Sequence, residues 1–321
     1  MRLRARRQDL PLLATVAVAV LLYGAACVRY YDANFFSWGV FVNFFGDNSF
    51  LGLAALGETF VILAGGIDLS VGAVIGCVSI TAARLIASGW HPLAVFVLLL
   101  AAGALFGAGM GAVIHGLRLP PFLITLAGMF LARGLGFVIS LQSVPIRHAL
   151  YDQVSELRPG GVPATALAFI LVLLLAFHLT QYTRFGRAIY AVGGSESSAL
   201  LMGLPVGWTK VGVYALCGLC SAAAGLVYTL YTFSGNASAA GGLELDAIAA
   251  VVIGGTLLSG GVGHVGGTLV GVLIYGIIQT AIAFEGTLSS WWTRSVIGAL
   301  LLAFVLLQKL VQGRVLRRTG T

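Results

Sequence analysis

Leu63-Ala-Gly-Gly-Ile-Asp-Leu-Ser-Val-Gly-Ala-Val-Ile-Gly76 ends one long apolar run and opens another. Glycine inside a helix is destabilising by roughly 0.5–1 kcal/mol relative to alanine, so the pair at 65–66 marks a break. Asp68 or Ser70 is placed to cap the helix that follows, with a side-chain oxygen accepting from otherwise orphaned N–H groups. The flanking runs, 49–65 and 67–88, approach the ~20 residues that cross a hydrocarbon core about 30 Å thick. A carboxylate between two such runs reads as a break inside a membrane, where an acid could also touch a solute or an ion.

The rest of the chain agrees. Of 321 residues, 59% are apolar and 9% charged, against roughly a quarter charged in a soluble domain. Further apolar runs fall at 10–29, 92–116, 121–141, 162–180, 208–233, 244–260, 264–284 and 290–309. With the two above they predict an all-α polytopic membrane protein of about ten transmembrane helices, folded as one transmembrane domain over 1–321. Glycine is abundant (44) and proline scarce (8). Gly103-Ala-Leu-Phe-Gly107-Ala-Gly-Met-Gly111 and Gly267-Thr-Leu-Val-Gly271 have the small-xxx-small spacing that lets membrane helices approach closely.

Lysine and arginine set the orientation, because cations resist translocation. With the N-terminus inside, the inner loops hold Arg2, Arg4, Arg6, Arg7, Arg118, Arg184, Arg187, Lys210, Lys309, Arg314, Arg317 and Arg318. The outer loops then hold Arg29, Arg147, Arg158 and Arg294. Twelve against four predicts N-in, and an even number of spans returns the C-terminus inside. The basic segments 1–9 and 310–321 are then cytoplasmic. The net charge of +7 serves this orientation and not nucleic acid, since no basic face carries interleaved aromatics. Residues 30–48, rich in Tyr, Phe and Trp, predict an interfacial segment on the outer side.

An internal echo accompanies the break. Leu258-Ser-Gly-Gly-Val-Gly-His-Val-Gly-Gly-Thr-Leu-Val-Gly271 can be laid over 63–76, with a glycine pair where one span ends and the next starts. Duplicated halves with a pathway between them recur in transporters. The inner segment 181–207 is longer than a plain connector. Within it Ser195 can cap a short helix that Gly203 and Pro205 end. Its apolar residues Ala199, Leu200 and Met202 have no span to join, which predicts a partner surface on the cytoplasmic side.

Glu58 and Arg133 are the charges deepest in the apolar runs, and ionisable groups at depth are functional candidates. Their similar depth raises the expectation that they pair. Asn236, Glu244 and Asp246 flank an outer mouth, and Gln279 lies within the ninth run; such groups suit a hydroxyl-rich solute. No GxxxxGK[ST] phosphate loop is present, and the five histidines (91, 115, 148, 178, 264) have no metal-ligand spacing. Cys217-Gly-Leu-Cys220 lies inside an apolar run and reads as packing. A nucleotide site, a metal and a catalytic centre are therefore not expected in this chain.

Gly65-Gly-Ile-Asp-Leu-Ser-Val-Gly72, the segment Thr183-Arg-Phe-Gly-Arg…Tyr-Ala-Val-Gly-Gly…Ala199…Met-Gly203, and Asp246-Ala-Ile-Ala-Ala-Val-Val-Ile-Gly-Gly-Thr-Leu-Leu-Ser-Gly-Gly261 resemble the ribose/xylose/galactoside class of bacterial ABC-importer permeases. The resemblance covers essentially the whole chain. Ser143-Val-Pro-Ile146 and Phe284-Glu-Gly-Thr-Leu-Ser-Ser-Trp-Trp-Thr293 further resemble galactofuranose permeases of that class. It implies a multi-pass protein of the bacterial inner membrane, working by alternating access with partners it lacks. These are a cytoplasmic ABC ATPase that uses ATP and Mg, a second permease subunit (identical or related), and a periplasmic sugar-binding protein. It implies that 181–207 is the ATPase-coupling segment, through Arg184, Phe185, Gly186, Arg187, Glu196, Ala199, Leu200, Leu201, Met202 and Gly203. The pathway candidates are Glu58, Asp68, Arg133, Asn236, Asp246 and Gln279. Members of the class usually have Met or Gln where Glu58 stands, so any role of that acid is peculiar to this chain. A secondary sugar carrier, a branched-chain amino-acid permease and a membrane glycosyltransferase are the rival readings.

Overall fold

The computed structural model describes residues 10–287, 289 and 291–319. The described residues are helical apart from loops and one two-stranded ladder. In order the elements are α1 (Leu10–Arg29), α2 (Trp38–Asp47), α3 (Ser49–Leu63), α4 (Val71–Ala87), α5 (Pro92–Gly116), α6 (Pro121–Ile139), β1 (Val144–Pro145), α7 (Ala149–Glu156), α8 (Ala164–Tyr182), α9 (Arg184–Gly194), α10 (Glu196–Leu201), α11 (Val206–Thr232), β2 (Ser234–Gly235), α12 (Leu243–Ile253), α13 (Val265–Glu285) and α14 (Trp291–Thr319). A helix lies under each of the ten apolar runs. Six of these helices (α1, α5, α6, α8, α11 and α13) are long and apolar enough to cross a membrane; α2 and α3, bent by 53° at their junction, make a seventh when taken as one span.

The sequence runs overstate two elements and understate one. The third run becomes the 17-residue α4, which starts only at Val71. The eighth becomes the 11-residue α12, because backbone at 254–264 turns through Gly255, Gly260 and Gly261, all at positive φ. Residues 30–48 are more than an interfacial strip: α2 packs inward, and Phe35 and Phe44 are buried with Tyr23, Tyr30 and Phe284 in an aromatic cluster. The basic segment 1–9 lies outside the described residues, and α14 runs on through 310–319 of the expected tail.

The most deeply buried helix is at the centre and is apolar around most of its circumference, as expected for an element packed on every side. In α3 every side chain but one is buried. Beside it α11 crosses α5 at close range: a Cβ at Gly103 would overlap the Gly218 carbonyl, and one at Gly107 the Tyr214 carbonyl. The Gly267–Gly271 pair meets the backbone of Ala250 on α12 and of Gly254 just past its end in the same manner. Both small-residue rows are thus helix-crossing points, where dispersion between close backbones replaces the hydrophobic effect that lipid cannot supply. A hydroxyl pair, Thr59 to Thr268 at 2.7 Å, ties α3 to α13. Outward-facing apolar side chains such as Leu21, Val97, Leu105, Phe130, Val138 and Leu174 are exposed on the long helices, as acyl chains require.

Candidate functional site

Three places in the bundle hold the candidate residues. The first is the 181–207 connector, which is two helices, not one. Thr183 caps α9 by accepting from Gly186 N at 3.1 Å. Ser195 caps α10 by accepting from Ser198 N at 3.2 Å. Gly203, at φ +74°, ends the unit. Of the coupling candidates, Phe185, Gly186 and Ala199 face inward: Phe185 packs against Gly212 of α11, and Ala199 is fully buried with Val192 and Val206. Arg184, Arg187, Glu196, Leu200, Leu201, Met202 and Gly203 remain exposed. Leu201 is 89% exposed, and Leu200 and Met202 are 65% and 68% exposed.

The connector is fastened to both breaks. The Gly261 N–H donates to the Leu63 carbonyl at 2.9 Å, joining the second break to the first. Gly193 of α9 lies against that same Leu63 carbonyl and the Gly261 N–H. Tyr190 OH donates to Gly263 O at 2.9 Å. The two glycine-pair segments that echo each other in sequence therefore meet in space, with α9 seated on them.

The second place is the first break itself, where Glu58 and Asp68 are both buried. Glu58 Oε1 accepts from Asp68 N at 3.1 Å, and Asp68 Oδ1 accepts from Ser70 N at 2.8 Å and Ser70 Oγ at 2.6 Å. Asp68 thus closes an Asx-type turn before α4; Ser70, at the N-cap position, makes no side-chain cap bond. The expected Glu58–Arg133 pair does not form, because Asp68 folds back onto Glu58 while Arg133 is engaged elsewhere. Cys217 Sγ lies 4.0 Å from Glu58 Oε2, and no group of potential metal ligands occurs among the described residues. Since Glu58 acts as an acceptor for one N–H, Glu58→Gln should leave stability near wild type through its amide oxygen. Glu58→Leu orphans that N–H and should cost about 1–3 kcal/mol, read as a drop in the melting temperature of the purified protein.

The third place is the opposite end of the bundle. Arg133 Nη1 donates to Ala237 O and Ala239 O, both at 2.7 Å. Arg294 Nη2 donates to Gly241 O at 3.2 Å. Two guanidinium groups from α6 and α14 thus clamp loop 236–242. Asn236 is used within that loop, its Oδ1 accepting from Ser238 N and Oγ. Asp246 accepts from Tyr275 OH at 3.2 Å. Tyr275 and Gln279 line a cavity of about 520 Å³ with Trp291, Thr293 and Arg294. The pathway candidates therefore fall into separate groups: Glu58 with Asp68 at the break, Arg133 with Asn236 at the clamped loop, and Asp246 and Gln279 through Tyr275. Arg294 was missed from sequence because it sits beyond a loop and looked like an orientation charge.

Comparison with known proteins places the chain. The model of the family described as "Branched-chain amino acid transport system / permease component" matches residues 40–305. The inner membrane ABC transporter permease protein YjfF of Escherichia coli K12 is 48% identical over 309 residues, 94% of this chain and 93% of the relative. The fructose import permease protein FruG of Bifidobacterium longum is 35% identical over 95% of this chain and 92% of its own length. The ribose import permease protein RbsC of E. coli K12 is 36% identical over 91% of each chain. No solved structure gives a significant match. A break with facing glycine pairs, a two-helix connector with an exposed apolar tip, and likeness along nine tenths of the chain agree: this is a multi-pass inner-membrane protein belonging to the ABC-transporter permease family of that description.

Proposed function

We propose that this chain is the membrane-spanning subunit of an ATP-driven importer for galactofuranose or a related monosaccharide. The observation that carries it is the likeness over nine tenths of the chain to permeases named for fructose and ribose import. A reading of ten spans, N-in and C-in, is supported by a helix under each apolar run and by the twelve-to-four distribution of cations. The facing breaks support a duplicated architecture. A cytoplasmic ATPase using ATP and Mg grips the tip of the connector, a second permease subunit completes the pathway, and a periplasmic binding protein delivers the sugar; this chain itself binds no cofactor. ATP acts only through the different affinities of the ATPase for the outward- and inward-facing states.

Proteoliposomes test this directly. With the ATPase, permease partner and binding protein present, D-galactose, D-ribose or D-fructose uptake should require ATP on the connector side and cease when the ATPase is omitted. Uptake by this chain alone would establish a secondary carrier instead, and ATP-driven leucine uptake a branched-chain amino-acid permease.

A further inference from the structure

Two cavities lie one behind the other at the connector end of the bundle. The outer one, about 540 Å³, is lined by His115, Arg118, Leu119, Pro120, Leu200 and Val206. The inner one, about 150 Å³, is lined by Val61, Ala64, Gly65, Gly66, Val213 and Tyr214. Ile114, Pro121, Glu196 and Lys210 line both, so they form the shared wall. Within that wall Lys210 Nζ and Glu196 Oε2 form an ion pair at 2.7 Å. It joins α10, in the connector, to α11, in the bundle.

The inner cavity ends on the first break. There the Tyr214 hydroxyl lies against Gly66. Tyr214 is 3% exposed, and its hydroxyl has no hydrogen-bond partner among the described residues. A buried hydroxyl without a partner forfeits its hydration for nothing in return, a penalty native proteins rarely tolerate without a use. A solute bearing hydroxyl groups can both donate to it and accept from it.

We propose that the inner cavity seats one end of a sugar on its way through, at Tyr214 Oη and the Gly65–Gly66 backbone, and that the Glu196–Lys210 ion pair is the gate between it and the outer cavity. This rests on the sugar-import reading above. Because Glu196 begins α10 and the exposed Leu200, Leu201 and Met202 end it, a partner that displaces the tip withdraws Glu196 from Lys210. Opening is thereby tied to whatever grips the connector, and Tyr214 is uncovered at the same moment.

Two measurements on the assembled importer test it. Tyr214→Phe keeps the ring and removes only the unpartnered hydroxyl, so a merely structural role predicts unchanged or raised thermal stability with unchanged uptake. A sugar contact predicts uptake lowered about fivefold at unchanged stability, the loss of one neutral hydrogen bond. For the gate, Ala64→Cys in the inner cavity is labelled with a hydrophilic maleimide in the solubilised, nucleotide-free complex. Labelling at residue 64 is followed by peptide mass spectrometry, so the four native cysteines stay in place. Glu196→Gln or Lys210→Met should speed labelling about fivefold, the upper range for a partly exposed ion pair, and the swap Glu196→Lys with Lys210→Glu should restore protection. Unchanged uptake in Tyr214→Phe, or labelling indifferent to both single variants, overturns the proposal. Labelling needs no transport, so an importer that moves no sugar in its wild-type form would count against the sugar reading and leave the gate result standing.

Discussion

Replacing Leu201 and Met202 with serine is expected to lower ATP-driven sugar uptake tenfold or more while leaving the amount of folded protein unchanged. Both side chains are largely exposed at the end of α10, and substitutions at such positions usually change stability by less than about 0.5 kcal/mol. Their apolar area matters only when something covers it. Fully burying a leucine or methionine side chain contributes roughly 1.5–3 kcal/mol, so losing two from one small contact weakens it by at least about a hundredfold. The inward-facing residues of the same segment behave differently. Ala199→Asp would place a charge in a site that is fully buried among Val192 and Val206, and there the folded amount itself should fall. The decisive measurement is copurification of the ATPase with the solubilised permease: retention by the Leu201→Ser, Met202→Ser variant at wild-type levels would remove the connector tip from the coupling surface.

The parts of this fold legible in sequence are those that a local pattern determines. Apolar length found the helices, and the spacing Gly103-xxx-Gly107-xxx-Gly111 marked that stretch as a close helix contact, though not its partner α11, because a row of small residues has one main use in lipid. The connector's exposed tip was legible because Leu200 and Met202 had no span to belong to. What failed were inferences between distant residues. Glu58 and Arg133 share a depth, but depth along two helices says nothing about which faces meet. Arg133 instead serves carbonyls of loop 236–242, acceptors with no side-chain signature. The short α12 was hidden for a related reason: Leu257 and Leu258 carry the apolar run on towards the glycine pair at 260–261, whereas the backbone already turns at Gly255, at positive φ. Tyr214 and Lys210 carried no motif, since a lone tyrosine in a span and a lone lysine beside one look like packing and orientation.

Gly193→Ala is expected to abolish transport, whereas Gly194→Ala one residue later is expected to be silent. The two glycines close α9 side by side and have similar composition around them in sequence, yet their surroundings differ sharply. A methyl group at 193 would overlap the Leu63 carbonyl and press on the Gly261 N–H, the pair whose 2.9 Å hydrogen bond joins the two breaks. A methyl group at 194 meets nothing within 4 Å. Overpacking of this kind costs about 1–3 kcal/mol, here against backbone that cannot rotate away. The cost must therefore be relieved by lifting α9 off the breaks or by parting the breaks from each other. Either outcome separates the connector from the elements it has to move, so uptake should fall well before the protein unfolds. The Gly193→Ala complex should retain its ATPase, since the apolar tip is untouched, and should hydrolyse ATP without moving sugar. Equal uptake by the two variants would mean that α9 does not transmit motion through the glycine junction, and the contact between connector and breaks would then be packing alone.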